Sequence, residues 1–110
     1  MEKKPVLRIP LKKLIEGKGT LRVLGEEVRN FIENAWTEYQ IIELDFENET
    51  VQSGSLFDEI VKLFDEYPKE EVKRRLKFVN IDPWDESLIV HLAKLRLTKK
   101  KKEEQFEYSN

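Results

Sequence analysis

Three short apolar runs, at residues 6–9, 40–46 and 76–81, have the length and composition of β-strands. The first run lies between two prolines, and because proline lacks a backbone donor we expect an edge strand there. The second run has apolar residues on both faces, which is typical of a strand in the interior of its sheet. These runs predict a small sheet with the 40–46 strand inside it.

Between and after these runs, apolar residues recur at steps of three and four, the period of an amphipathic helix. Thr20 is a residue type that caps helix N-termini, so the first long helix is predicted to begin there. The second is predicted to begin near Ser53 or Ser55. The third is predicted to begin at Asp82 and Pro83, a cap and a favoured first helical residue. The apolar stripe predicted for this third helix is Trp84, Leu88, Leu92 and Leu95.

The elements therefore alternate as strand, helix, strand, helix, strand, helix. This order predicts an α/β fold in layers, with a small, mostly parallel sheet covered by amphipathic helices. Gly25 lies inside the first helix pattern, where we expect it to allow close packing against a neighbour. Residues 69–75 are interpreted as a charged linker or a further short helix. We predict a single domain over residues 1–97 and a charged, flexible tail over residues 98–110.

The composition restricts the functional classes. The chain has 110 residues, of which 38% are charged and 39% hydrophobic, and its net charge is −2. So weak a net charge gives no overall attraction to nucleic acid or anionic lipid. The absence of cysteine excludes disulfides, thiol catalysis and thiolate metal sites. No apolar run approaches the ~20 residues that cross a bilayer, and the N-terminus does not read as a signal peptide, so we expect a cytoplasmic protein.

The most informative stretch runs from the second strand through a short acidic loop into the second helix. In sheets of this class, ligands and regulatory loops gather at the carboxyl ends of the parallel strands. We therefore expect the loop and the beginning of the helix to bind a protein partner. The predicted surface comprises Asp45, Glu47, Asn48, Glu49, Gln52, Gly54 and Asp58, together with Ser53 and Ser55. Asp58 and Glu59 are predicted in the first helical turn, with Ser55 and Asp58 spaced as in a capping box.

Motifs in and before this stretch resemble those of a known family. The chain reads TLRVLG at 20–25, LDF at 44–46 and SLFDE at 55–59. This order resembles the bacterial STAS-like family of unknown function and, more distantly, the STAS domains of anti-sigma-factor antagonists, over roughly residues 20–95. The resemblance implies a STAS-like fold and a regulatory module without catalysis or cofactor. The partner it implies is a histidine-kinase-like ATPase or another regulator, which would bring the nucleotide.

In those antagonists, a serine at the N-terminus of this helix is phosphorylated by the partner kinase, and its position corresponds to Ser55. The antagonists carry Asp-Ser-Ser-Gly, whereas this chain has Ser-Gly-Ser-Leu at 53–56. The acceptor is therefore Ser55, Ser53 or neither. A phosphoserine carries about −1.5 to −2 charges, which a helix N-terminus accommodates while the sign of the surface changes. If both serines only cap the helix, the chain is a constitutive adaptor, for example of a phage or mobile element.

Other titratable residues favour structural roles. Asp45, Glu47 and Glu49 alternate along the strand end and loop, but they match no cation-binding loop and are expected to be solvated. His91 stands beside an apolar stripe with no nucleophile motif nearby. A phosphate-binding glycine loop is also missing from the sequence, so we expect no enzyme.

Two basic clusters are the basis of a minor alternative. They comprise residues 73–75 with Lys77, and residues 99–102, and both have glutamates beside them in sequence. Such runs usually form a solvated surface, so nucleic-acid binding is the weakest of the functional hypotheses. Trp36 and Trp84 are expected to lie partly buried at the edge of the core, where either is suited to anchor an interface.

Overall fold

A parallel sheet forms the base of the fold. The computed structural model describes residues 2–17 and 19–108, with side chains as far as residue 100. Within these residues the strands are β1 (Lys4–Pro10), β2 (Tyr39–Asp45) and β3 (Leu76–Val79), in the order β1-β2-β3. As predicted, β2 is the inner strand and β1 an edge strand. The helices are α1 (Leu11–Leu14), α2 (Leu21–Trp36), α3 (Gly54–Val61), α4 (Leu63–Glu66), α5 (Lys69–Arg75) and α6 (Pro83–Tyr108).

The long helices cover one face of the sheet. Ile42 and Leu44 are fully buried, while Ile41, Glu43 and Asp45, which point to the other face because strand side chains alternate, are only partly buried. α2 packs against β2 and α3, and α3 packs against α6. The predicted small parallel sheet with amphipathic helices is therefore confirmed.

Gly25 allows α2 and α3 to approach each other closely. A β-carbon at this position would lie 2.7 Å from the carbonyl oxygen of Leu56 and 2.9 Å from the β-carbon of Glu59. No larger residue fits without moving the backbone of α3. The predicted role of Gly25 in close packing is confirmed. This contact fixes the distance between α2 and the helix that follows the acidic loop.

Helix α6 begins where the sequence predicts. Asp82 Oδ1 accepts a hydrogen bond from the backbone N–H of Asp85 over 2.8 Å, as an N-cap residue does. Pro83 is the first helical residue. The helix continues to Tyr108, through most of the segment predicted as a flexible tail, and residues 109–110 lie outside the described part. The flexibility of residues 98–110 stays a prediction.

The face that α6 turns to the core differs from the predicted stripe. Trp84 is 65% exposed and Leu95 is 55% exposed, so the prediction is wrong at both ends of the stripe, while the two leucines between them are half-buried. Asp85 and Ile89 are buried instead. Asp85 faces inwards, because its carboxylate bonds the loop before α3. Trp84 is one position earlier on the helix and therefore faces another side.

The first basic cluster is partly structural. The Arg75 guanidinium carbon lies 4.1 Å from the centre of the Trp36 ring, and the group donates to the carbonyls of Trp36, Tyr39 and Gln40 and to the Glu71 carboxylate. Arg75 is consequently buried, contrary to the expectation of a solvated cluster. Trp36 is 4% exposed and lies in the core rather than at its edge. For residues 69–75, the short-helix interpretation is the right one.

Two lysines of the second basic cluster have described side chains, and both belong to α6. Lys100 Nζ donates to the carbonyl of Phe64 over 3.2 Å, whereas Lys99 is exposed. The side chains of residues 101–102 lie outside the described part.

His91 is exposed on α6. Among the helices that are described, none combines the length and the apolar character that crossing a membrane requires.

Candidate protein-interaction site

The loop after β2 folds around the carboxylate of Asp45. Its Oδ1 accepts hydrogen bonds from the backbone N–H of Glu47 over 2.8 Å and from the side-chain amide of Asn80 over 3.0 Å. The N–H of Asn48 donates to the carbonyl of Asn80 over 2.9 Å, and Arg8 forms an ion pair with Asp45 at 3.5 Å. The bonds from Asn80 and Glu47 lower the pKa of Asp45, because they stabilise the charged carboxylate. Asp45 therefore joins the beginning of the loop to the end of β3.

The backbone of this loop is strained. Glu47, Asn48 and Gln52 have φ values of 54°, 63° and 50°, which lie in the left-handed region. Asparagine tolerates this region, whereas glutamate and glutamine each cost about 1–3 kcal/mol there. Asn80, which bonds the loop, is left-handed as well, with φ 52°. The surrounding hydrogen bonds must hold the loop in this shape.

Two aspartates at the start of α6 hold the other end of the loop. Asp85 is fully buried, and its carboxylate accepts from the backbone N–H groups of Val51 over 2.7 Å and Gln52 over 2.8 Å. The Asp82 carboxylate accepts from the hydroxyl of Thr50 as well as from the Asp85 amide. The Asp85 amide and then the Thr50 hydroxyl lower the pKa of Asp82. The acidic loop is thus attached to the N-terminus of α6.

Sequence reasoning missed the role of Asp85. The available signal was its position three residues after the N-cap, where an acidic side chain normally bonds back to its own helix. Here the carboxylate bonds a different segment instead. Asn80 was also missed, and the only signal for it was an asparagine directly after a strand.

The N-cap of α3 is Ser53. Its Oγ accepts from the backbone N–H of Leu56 over 3.1 Å, and Ser53 is only 5% exposed. Ser55 is the second helical residue and is exposed. The predicted capping box of Ser55 and Asp58 is therefore wrong, and Asp58 lies beyond the first turn. Of the two candidate acceptors, Ser55 has a hydroxyl open to solvent and Ser53 has one engaged in the cap.

Asp58 and Glu59 face a group of cations between α2, α3 and α6. The nearly fully buried Glu59 carboxylate lies 2.9 Å from Arg22, 3.2 Å from Arg29 and 2.8 Å from Lys62. Burial raises the pKa of Glu59, but the hydrogen bonds from Lys62 and Arg22 outweigh this effect and leave the pKa lowered. Glu59 therefore fastens α3 to α2.

Asp58 is tied to the fold as well. Its carboxylate lies 3.2 Å from Arg96 and 3.7 Å from Arg22, and the side chain is 32% exposed. The prediction placed Asp58 on a partner-binding surface. The geometry makes it a bridge between α2 and α6 that is only partly accessible.

The loop and the start of α3 leave a connected exposed surface. The exposed members of the predicted set are Glu47, Asn48, Glu49, Gln52, Gly54 and Ser55. Asp45 is partly buried and Ser53 is buried. Trp84 is exposed directly beside Asp85, the residue that bonds the loop. We call residues 47–52, Gly54, Ser55 and Trp84 the loop surface.

The carboxylates of this surface do not converge. Asp45 is engaged with Asn80 and Glu47, and Glu49 forms an ion pair with Lys12 at 3.6 Å. Among the residues with described side chains, no group of three histidine, aspartate or glutamate residues is placed to hold a metal ion. The arrangement therefore presents negative charge to the outside and is suited to contact a cationic surface.

A comparison with protein families gives a match. The family described as the STAS-like domain of unknown function (DUF4325) matches residues 25–86, more than half of the chain. The chain belongs to this family. The predicted membership of the bacterial STAS-like family of unknown function is thereby confirmed. Neither the curated proteins nor the solved structures contain a match to this STAS-like domain.

The family match includes the hydrogen bonds that shape the loop and cap α3. It begins at Gly25, whose lack of a β-carbon sets the spacing of α2 and α3, and it ends just after Asp85. Asp45, Ser53 and Asp82 lie inside it. β1 and most of α6 lie outside the matched segment. The loop surface is thus built on the part of the chain that is recognisably STAS-like.

Proposed function

We propose that this STAS-like domain is a non-catalytic regulatory module that binds a protein partner through the loop surface. The observation that carries the proposal is the strained loop, which Asp45 holds at one end and Asp85 at the other. Strained backbone that the surrounding structure maintains clusters at binding and switch sites. A loop already fixed in one shape also loses little conformational entropy on binding.

Trp84 supports an interface at this place. It is 65% exposed, and tryptophan is among the residues that contribute most to binding energy at protein interfaces. It directly precedes Asp85, whose carboxylate holds the end of the loop. Glu47 and Glu49 add negative charge to the same surface, so the proposed partner presents cationic side chains around a pocket for an aromatic ring.

Ser55 supplies a means of switching this contact. Its hydroxyl is at the second position of α3, where unpaired backbone N–H groups favour a phosphate. Arg22 of α2 lies 2.9 Å from Glu59 and 3.7 Å from Asp58, which are in the next turn of α3. A phosphate on Ser55 would add negative charge to the loop surface while the capping bond of Ser53 stays intact.

The identity proposed for the partner rests on the resemblance to anti-sigma-factor antagonists. In that group the partner is a histidine-kinase-like ATPase, and the nucleotide belongs to the partner. We extend this role to the present STAS-like domain, with a cytoplasmic location and no catalysis of its own. Ser55 is the proposed acceptor in preference to Ser53, because Ser53 would have to release the N–H of Leu56.

A second candidate function is a constitutive adaptor that is never phosphorylated. One observation favours it: the bonds that shape the loop come from Asp45, Asp82 and Asp85, and none of them involves Ser55. The shape of the loop surface is then independent of any change at this serine. The two candidates share the surface and differ only in whether Ser55 controls it.

The test is capture of partners from the source cell with wild type, Ser55→Ala, Ser55→Asp and Trp84→Ala, with mass spectrometry on the bait. Ser87→Asp is the matched control, since Ser87 is an exposed serine of α6 that does not belong to the loop surface. Because negative charge at position 55 favours the cationic partner proposed above, the switch predicts stronger capture with Ser55→Asp than with Ser55→Ala. It also predicts loss with Trp84→Ala, no change with Ser87→Asp, and phosphate on Ser55.

Other outcomes separate the candidates. Loss with Trp84→Ala alone, without phosphate on the bait, supports the constitutive adaptor. Partners that all four substitutions retain would remove the loop surface as the binding site. Each variant should first give the far-UV circular dichroism and unfolding midpoint of the wild type, because only then does a lost partner report on the surface.

A further inference from the structure

A second feature of the fold lies on the side of the molecule formed by β3. This strand is hydrogen-bonded to β2 on one side, and within the described residues no strand pairs with its other side. The edge formed by β1 contains Pro5 and Pro10, which discourage strand addition. β3 has no proline, so its edge is the one open to a further strand.

An apolar groove accompanies this edge. α6 packs against α3 and α4, and a groove of about 500 Å³ remains between α6, α5 and β3. Its lining includes Phe64, Leu76, Phe78, Ile89, Val90 and Ala93. The volume lies in the range of specific ligand sites in proteins. An edge strand and an apolar groove thus lie side by side.

The rim of the groove is strongly cationic. It carries four exposed lysines, with Glu86 as the exposed acidic residue among its lining. The lysines are Lys69 and Lys73 on α5, Lys77 on β3 and Lys94 on α6. Lys77 Nζ donates to the carbonyl of Lys73 over 2.9 Å, which holds this charge at the edge of β3. The charge is opposite to that of the loop surface, so the two surfaces select different partners.

We propose that an extended, acidic segment of a partner protein adds to β3 as a fourth strand and fills this groove. Main-chain hydrogen bonds to a sheet edge give such a segment its affinity, and alternate side chains give specificity. Side chains on the helix side of the added strand would enter the groove between β3 and α6. Acidic side chains in the segment would meet Lys73, Lys77 and Lys94, which rim the groove.

The edge itself argues for a strand as the occupant. A lysine on an edge strand is a usual guard against pairing with other sheets, and it is compatible with an acidic strand. A sheet of only three described strands also gains from a fourth, since typical sheets have about four to six. This proposal is independent of the loop surface, and neither Ser55 nor Trp84 lines the groove.

The experiment is a selection from a displayed library of random peptides on the immobilised, full-length chain. Retained sequences are then synthesised with a fluorophore and titrated by anisotropy. We expect apolar residues at every second position with acidic residues between them. N-methylation of the peptide amides that face β3 should abolish binding, whereas methylation of the opposite edge should not, because only one edge of the added strand pairs.

Matched variants test the groove. Lys73→Glu with Lys94→Glu should weaken the retained peptides roughly tenfold or more, and Val90→Glu, at an exposed apolar position of the groove, should do the same. Lys3→Glu with Lys13→Glu is the control, because the pair makes the same charge change at exposed positions outside the groove. Ser55→Asp should leave this binding unchanged.

Three results would overturn the proposal. One is that the library retains no peptide. Another is that retained peptides bind the groove variants as tightly as the wild type. The third is that the retained peptides have apolar residues at steps of three and four and bind equally well when either edge is N-methylated. That result would identify a helix as the occupant.

Discussion

A β-carbon added at Gly25 would lie 2.7 Å from the backbone carbonyl oxygen of Leu56. Real β-carbons do not approach a backbone oxygen so closely, so α2 and α3 are as near to each other as glycine allows. The same approach brings the buried carboxylate of Glu59 within 2.9 Å of Arg22 and 3.2 Å of Arg29. A single missing side chain therefore sets the position of the helix that carries the loop surface.

Gly25→Ala is predicted to destabilise the domain. Alanine favours a helix by up to about 1 kcal/mol over glycine, but overpacking against fixed backbone costs about 1–3 kcal/mol, and here the obstacle is a main-chain oxygen. We expect the free energy of unfolding in urea to fall by about 1 kcal/mol or more. Gly54→Ala is the control, because no atom lies within 4 Å of its β-carbon position. Equal stability of the two variants would contradict the close contact.

Asp85→Ala is predicted to release the acidic loop. The substitution leaves the partly buried N–H groups of Val51 and Gln52 without their acceptor, and hydrogen bonds to a charged group contribute about 1.5–3 kcal/mol. Compared with the wild type, hydrogen exchange at these two amides should become faster, and the increase should be larger than at amides in α2. Glu86→Ala, one residue along and exposed, should change neither stability nor exchange. Unchanged exchange in Asp85→Ala would mean that something else holds the loop.

Acid should destabilise the fold partly through Asp45 and Asp82. The hydrogen bonds from Asn80 and Glu47 lower the pKa of Asp45, and those from Asp85 and Thr50 lower that of Asp82. A carboxyl whose folded pKa is below its unfolded pKa stabilises the fold above the unfolded pKa. That stabilisation is lost as the pH falls through the folded pKa.

The measurement is the free energy of unfolding in urea between about pH 7 and pH 3 for wild type, Asp45→Asn and Asp82→Asn. As the pH falls, both variants should lose stability less steeply than the wild type. The cap of α6 is kept in Asp82→Asn, because asparagine is also a favoured N-cap residue. Glu26→Gln is a control, since Glu26 is an exposed residue of α2. If the acid slopes of all four proteins coincide, the two carboxylates do not carry this dependence.

Glu33 has the opposite dependence on pH. Its pKa is raised, first by the hydrogen bond with Glu66, then by burial and by the charge of Glu66, against the smaller effect of Arg29. An acid with a raised folded pKa destabilises the fold when it ionises, so this contribution is unfavourable above the folded pKa and is relieved as the pH falls. Glu33→Gln should therefore raise stability at neutral pH.

The expected gain is a few tenths to about 1 kcal/mol, because the pair is only partly shielded from solvent. Glu66→Gln should give a similar gain, and the double variant should give less than the sum, since either substitution removes the same repulsion. Urea unfolding at neutral pH measures all three. A double variant with fully additive gains would show that the two carboxylates do not interact.

Much of the fold could be predicted because its signals are local. The inner position of β2 follows from apolar residues on both faces, and the beginning of α6 follows from Asp82 and Pro83. The close packing at Gly25 was predictable because a glycine inside a helix pattern is costly unless it serves a contact. In each case a few neighbouring residues contain the information.

The details of the candidate site could not be predicted, because they depend on contacts between segments that are far apart in sequence. Whether Ser53 or Ser55 caps α3 depends on where the loop ends. Asp85 of α6 bonds the N–H of Gln52, directly before the cap residue Ser53. Asp85 is buried on the inner side of α6, whereas Trp84 is exposed. Arg75 was predicted to be solvated because main-chain carbonyls are among its partners. Every residue has such a carbonyl, so the sequence does not show which ones an arginine will bond. Such effects arise only when segments far apart in sequence meet.

The assignment of the two serines gives the last prediction. Ser53→Ala removes the acceptor of the Leu56 N–H and should cost about 1 kcal/mol, the usual value of an N-cap side chain. Ser55→Ala alters an exposed helical residue and should be neutral or slightly stabilising, since alanine has the higher helix propensity. Thermal and urea unfolding of the two variants measure the difference. The reverse order would make Ser55 the cap, and its hydroxyl would then be no more available for modification than that of Ser53.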